Sequence, residues 1–234
     1  MGCGASLLPE APPLVAQPLP AAAPLIAKAS SAEGELKLLL SEGKAEGSLM
    51  KGYICTAFFN TAGGEEIIRY KQKGNAKMFT IYHGDNLVAL LKHELYRGFG
   101  HAELYGLQPP EGASGHATIV EEGISLHALY QIRVTPEAGT GLRAHYKGIG
   151  MYAAGANGTF AAAPSLVHKD SKKEATKFVE NGKGECVATT CFQPLRPVFG
   201  KLERGITAAA NVDITLIAVL YIIRLEFWNN VDNI

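Results

Sequence analysis

Between Asn211 and Trp228 the chain reads NVDITLIAVLYIIRLEFW, a segment that any folded form has to hide from water. Its uninterrupted apolar stretch runs only from Leu216 to Ile223, with Asp213 before it and Arg224 and Glu226 after it. A bilayer-spanning helix wants about 20 apolar residues, so this one is too short to cross comfortably. Asn211 or Asp213 is placed to cap a helix N-terminus, and a helix that is apolar on nearly every side must be buried on nearly every side. The segment therefore reads as a core helix near residues 212–228, enclosed by other structure. At 1.5 Å per residue, about sixteen helical residues make a rod of roughly 24 Å.

The rest of the chain offers material for an enclosure. From about residue 36 to residue 205 it breaks into short apolar, β-branched or aromatic stretches: Tyr53 to Phe59, Ile67 to Gln72, Lys77 to Tyr82, Leu87 to His93, Ala117 to Glu121, Ser125 to Val134, Ala175 to Val179 and Cys186 to Phe192. The dipeptides Gly63-Gly64, Gly84-Asp85, Asn157-Gly158 and Asn181-Gly182 tolerate the positive φ angles of tight hairpin turns. No long helical period occurs before the C-terminal segment, which excludes an alternating α/β chain with a parallel sheet. The expected class is mainly β, a closed antiparallel β-barrel plugged by its own C-terminal helix. With 234 residues, 47% of them hydrophobic, one such domain and a tail account for the length. Lys plus Arg and Asp plus Glu both number 22, so no global field draws the protein to nucleic acid.

The tail is residues 1–34. Residues 5–34 hold six of the twelve prolines, at positions 9, 12, 13, 18, 20 and 24, and carry charge only at Glu10, Lys28 and Glu33. Such spacing blocks helix and ladder hydrogen bonds and predicts a disordered, semi-rigid tether with polyproline II character. Its first residues, Met1-Gly2-Cys3-Gly4-Ala5-Ser6, match the N-myristoylation pattern, with Gly2 as acceptor after loss of Met1. One myristoyl chain binds a bilayer with only about 10⁴ M⁻¹, and palmitoylation of Cys3 supplies the second signal that stable residence needs. This start lacks the positively charged region and long apolar run that a secretory signal peptide needs. Four cysteines (Cys3, Cys55, Cys186, Cys191) are too few for a disulfide framework. The expected location is the cytoplasmic face of a membrane, the plasma membrane in particular, and Asn157-Gly158-Thr159 reads as a turn rather than a glycosylation site.

The stretch from Ala208 through Asn211-Val212-Asp213 into Leu216–Ile223 resembles the closing segment of the Tubby C-terminal-like superfamily, which includes Tubby proteins, phospholipid scramblases and the LURP-one-related proteins. The resemblance implies a barrel of about twelve strands around the helix, over residues 35–234. Scramblases share the proline-rich N-terminal region, but this chain lacks their clustered palmitoylation cysteines. Near the helix it has only Asp213, whereas calcium takes six to eight oxygen ligands. Tubby proteins bind phosphoinositide head groups through a basic site, whose nearest analogue here is Arg69, Lys71, Lys73 and Lys77. Alternation along a strand puts Arg69, Lys71 and Lys73 on one face, where they can converge on phosphate. A second basic run is Lys169, Lys172, Lys173 and Lys177. Near an anionic leaflet each such residue adds about 1 kcal/mol.

Signals for covalent chemistry are weak. Gly148-Ile149-Gly150-Met151-Tyr152-Ala153 matches the dinucleotide fingerprint Gly-x-Gly-x-x-Ala, but polar residues precede it where a buried strand is required, and Gly155, Asn157 and Gly158 would break the helix after it. The seven histidines form no zinc-like pairs, and Cys186 and Cys191 read as small buried hydrophobes pointing to opposite faces of a strand. The expectation is a membrane-tethered lipid- or protein-binding module with no catalytic residues, metal or cofactor. The alternative is a scramblase-like lipid transporter whose C-terminal helix enters the bilayer.

Overall fold

The computed structural model describes residues 11–18, 34–43, 46–48, 52–73, 77–93, 101–109, 111–137, 145–170, 176–192 and 204–231. Among the described residues are β1 (Leu36–Glu42), β2 (Glu46–Ser48), β3 (Gly52–Thr61), β4 (Glu66–Lys73), β5 (Met78–His83), β6 (Asn86–His93), β7 (His101–Gly106), β8 (Thr118–Glu121), β9 (Ile124–Glu137), β10 (His145–Ala153), β11 (Leu166–Asp170), β12 (Thr176–Asn181), β13 (Cys186–Cys191), β14 (Gly205–Ala208) and α1 (Ile214–Val231). Twelve strands form a ring in the order β1-β14-β13-β12-β11-β10-β9-β7-β6-β5-β4-β3, closed by antiparallel pairing of β3 back onto β1. Closure leaves the ring no edge strand, and β2 and β8 pair outside it with β3 and β9. The mainly β, closed antiparallel barrel of twelve strands with a C-terminal helix is the architecture that the sequence predicted.

The ring depends on strands that the sequence hides. β1 brings residues near the start of the folded chain between β3 and β14, with Leu38 opposite both Thr61 and Ile206. β14 is only four residues long, and its Gly205 is obligatory: a Cβ there would lie 2.1 Å from the Leu38 carbonyl oxygen across the seam. The Gly63-Gly64, Gly84-Asp85 and Asn181-Gly182 turns join β3 to β4, β5 to β6 and β12 to β13 as expected. Gly84, at φ +57 in a two-residue connection between paired His83 and Asn86, meets the requirement of a type II′ hairpin. Asn157-Gly158 is different. It sits in a 3₁₀ turn, Ala156–Gly158, within a longer β10–β11 connection, where both residues have positive φ and the Gly158 N–H donates to the Ser114 carbonyl at 2.6 Å.

α1 fills the barrel. Ile214, Ile217, Ala218, Val219, Leu220, Tyr221, Ile222 and Ile223 are all buried, and they share one core with inward residues of the strands such as Phe59, Ile81, Leu104, Ile149 and Val179. Of the two candidate caps, Asp213 takes the role, its carboxylate accepting from the Thr215 N–H at 2.9 Å, while Asn211 adopts φ +60 in the turn before it. Tyr221 stacks on Phe192 at 4.4 Å and meets the edge of Phe59 at 5.5 Å, giving the helix a fixed rotation against the wall.

A second core lies on the outside. Along β6 and β7, Ala89, Leu91 and Leu104 point into the barrel, so their neighbours Leu90 and Tyr105 point outward, where they cluster with Tyr82, Leu87, Leu126 and Ala128. Ile119 and Ile124, from the β8–β9 hairpin, fold over this cluster. The Glu122-Gly123 turn of that hairpin has positive φ at both residues, the geometry of a type I′ turn.

Candidate functional site

β4 and β5 carry the basic face. Arg69 is opposite Tyr82 and Lys71 opposite Thr80 in the ladder. The outward Tyr82 ring sits between the two cations, 5.4 Å from the Arg69 guanidinium carbon and 4.8 Å from the Lys71 ammonium. The structure therefore brings Arg69 and Lys71 together. Lys73 ends the strand, opposite Ile54, and its side chain lies outside the described residues. Lys77 is exposed just before β5, and its carbonyl accepts from the His93 N–H at 2.8 Å.

Arg69 already has internal partners. Its guanidinium donates to the Gly84 carbonyl and to Asp85 at 3.1 Å, and Glu66 stands 3.6 Å away. These contacts make Arg69 a clamp on the β5–β6 turn. The Tyr82 hydroxyl donates to Glu122 at 2.6 Å, and burial together with that carboxylate pushes its ionisation upward. Cations and carboxylates thus alternate on this face, leaving Lys71 as its cation best placed to meet an external anion, while Lys77 stands apart, two residues before the inward Phe79, where its charge acts on His93.

The second basic run divides. Lys169 pairs with Glu180 on the outer wall, whereas Lys177 is a barrel-interior residue only 8% exposed, 3.3 Å from Asp170. Lys172 and Lys173 lie outside the described residues. Lys177 points inward because it shares the face of Val179, a core residue two positions on. Asp170 also accepts from Arg224 of α1 at 3.0 Å, so the charge that closes the apolar run is drawn inside the barrel and paired there. Beside this group His168 is buried, with Nε2 2.9 Å from the Thr190 hydroxyl. Burial, then the nearby Arg224 and Lys177 charges, hold its pKa well below the usual range, so the imidazole is neutral. No sequence motif marks this network, because its members are scattered over three strands and the helix.

His93 presents a different situation. It is 5% exposed, it stacks on Phe79 at 5.5 Å, and neither ring nitrogen has a hydrogen-bond partner. Burial and the Lys77 charge lower its pKa.

Residues 11–18, in the expected tether, lie against the barrel. The Val15 N–H donates to the Cys186 carbonyl at 2.8 Å and the Gln17 N–H to the Ala210 carbonyl at 3.0 Å. The Gln17 carbonyl accepts from the Asn211 amide at 2.8 Å, and its side-chain oxygen accepts from Asn181 at 2.8 Å. Leu14 packs on the core that holds α1. The expected tether is therefore docked over these eight residues. Its prolines exclude ladder pairing, but they do not stop free N–H groups at Val15 and Gln17 from finding acceptors. Gly2 and Cys3, the expected acylation sites, lie outside the described residues.

The remaining motifs resolve structurally. Gly148 through Ala153 lie within β10, a strand in the barrel wall, which lacks the strand–turn–helix context that the dinucleotide fingerprint needs. Cys186 and Cys191, at the two ends of β13, are free thiols whose ionisation burial pushes up. Among the described residues, no three His, Cys, Asp or Glu side chains gather as a metal site, and no helix is long and apolar enough to cross a membrane. Compared with protein-family models, curated proteins and solved structures, the chain matches none.

Proposed function

We propose that this protein is a membrane-tethered binding module of the Tubby-like kind, held by acyl chains on Gly2 and Cys3 and performing no covalent catalysis. The observation that supports this reading is the filling of the barrel by α1: with Leu220, Tyr221 and Ile222 essentially unexposed, the described interior is occupied by the protein's own side chains. Recognition then falls to the outer wall and the two mouths. On the wall, Lys71 is the proposed contact to anionic phospholipid such as a phosphoinositide, with Arg69 fixing the turn beside it. A protein partner is the other occupant of that wall. Enclosure of the helix favours this reading over a scramblase-like one, in which the barrel would have to open to release the helix into lipid.

Flotation of the full-length Gly2→Ala protein, which removes the myristoylation site and keeps the docked N-terminal segment, tests the wall directly. Binding to phosphoinositide vesicles but not to neutral ones, weakened by added salt and by Lys71→Glu, is the expected result. Absence of vesicle binding by Gly2→Ala, with recruitment of the acylated parent retained, would overturn lipid recognition by the wall and leave it as a protein-binding surface.

A further inference from the structure

The docked N-terminal segment has a regular inward side. Ala11, Leu14 and Gln17 are partly buried, while Pro12, Pro13, Val15, Ala16 and Pro18 are exposed. A period of three is that of a polyproline II helix, so a single face of an extended, proline-stiffened rod rests on the protein. Its contacts converge on one mouth of the barrel, where α1 begins: the Asn181–Glu185 turn, the start of β13, and Ala210-Asn211 before the helix. Asn181 donates to both Gln17 and Glu185, and together with Gln17 it lowers the Glu185 carboxyl below its usual range. Asn211 reaches Gln17 from a backbone at φ +60. Leu36, where the barrel wall begins, pairs with Ala208, two residues from the Ala210 carbonyl that holds Gln17. The chain between the docked segment and β1 therefore leaves and returns at the same mouth.

We propose that residues 11–18 are an orienting strap that turns this mouth, and not the opposite one, toward the membrane. The proposal rests on the acyl-anchor reading above. Without the strap, the span from Cys3 to Gly34 would reach at most about 105 Å fully extended; with it, the span from Cys3 to Ala11 reaches at most about 27 Å. The two mouths are separated by roughly 20 to 25 Å, the length of wall strands of six to eight residues. A leash of the first length lets the barrel tumble beneath the bilayer. A flexible span of eight residues has a root-mean-square length of only about 16 Å, less than the distance between the mouths, so fixed at one mouth it keeps that mouth nearer.

The test uses the full chain co-expressed with an N-myristoyltransferase, with Cys3, Cys55 and Cys191 changed to serine. A donor fluorophore is placed through Lys183→Cys at the strapped mouth or Lys77→Cys at the opposite one, both exposed positions. Energy transfer is read to acceptor-labelled neutral phosphatidylcholine vesicles at about 1 mM lipid, enough to recruit most of a chain bearing one myristate. Transfer from position 183 is expected to exceed that from position 77, and Gln17→Ala with Asn211→Gly, which keeps the left-handed backbone, is expected to erase the difference without changing the melting transition. Equal transfer from both positions in the vesicle-bound parent would overturn the strap. Failure of the myristoylated chain to bind vesicles would instead overturn the anchor, and the membrane orientation with it.

Discussion

Two interior groups at the residue scale, Asp170 and His168, make this barrel sensitive to charge. Asp170 lies within reach of both Arg224 and Lys177. Removing one partner from a buried charge cluster typically costs about 3 to 5 kcal/mol, because the remaining charges stay desolvated. Asp170→Asn is expected to fall at the lower end, about 3 kcal/mol in urea denaturation, since the Asp170 side chain is a quarter exposed. His168 acts through protons. Unfolded, it titrates near pH 6.5, and folded its pKa lies well below that. Below about pH 6.5 the unfolded chain therefore holds more protons, and stability falls with falling pH by up to about 1.4 kcal/mol per unit until the folded group also titrates. Above that pH the group contributes no slope. His168→Gln, which keeps a hydrogen-bonding side chain beside Thr190, is expected to flatten the acid limb of a stability–pH curve measured by chemical denaturation. An unchanged limb would show that His168 protonation does not set it, and His93, also buried with a lowered pKa, would be the next histidine to replace.

At the element scale, what the sequence revealed and what it concealed have a common cause. A segment such as Leu216–Ile223 announces burial by hydrophobicity on every side, and Asp213 marks its start, so α1 could be read within about two or three residues at each end. β5 and β6 are legible for the same reason, being bulky and apolar on both faces, and the structure shows why: one face meets α1 and the other the outer cluster. β10, β11 and β14 escape notice because closure of the ring demands small or polar residues there. Gly205 is set by contact with the Leu38 carbonyl, and His168 and Asp170 by the interior network. Leu220 tests the helix itself. A carboxylate at a fully buried position without a partner is too costly to keep, so Leu220→Asp is expected to abolish the cooperative thermal transition seen by circular dichroism. Leu220→Ala, which leaves a cavity and no charge, is expected to cost about 2 to 5 kcal/mol and keep the transition.

On the scale of the whole molecule, the barrel and its helix stabilise each other. β1 is held on one side by the nearby β3 and on the other by β14 from the far end of the folded region, so the ring closes only when both ends have arrived. The candidate binding surface was legible only in part, because alternation places Arg69 and Lys71 on one face but cannot foresee that Asp85 and Glu66 occupy Arg69. The docked strap was illegible, since its contacts come from backbone groups and from amides at Asn181 and Asn211 that lie far along the chain. Interdependence of wall and plug has a direct consequence. A chain ending at Ala210 keeps every wall strand but loses the side chains that fill its interior, exposing Phe59, Ile81, Leu104 and Val179 to an empty lumen. Proteins do not sustain an apolar void of that size, so the truncated chain is expected to lose its cooperative urea transition, bind a hydrophobic dye and expand in solution scattering. Adding residues 211–234 back as a separate peptide is expected to restore the transition, because the plug and the wall then share one core again. A truncated chain that kept a sharp transition unaided would show that the strands close without their helix, and that the lumen is free to take another occupant.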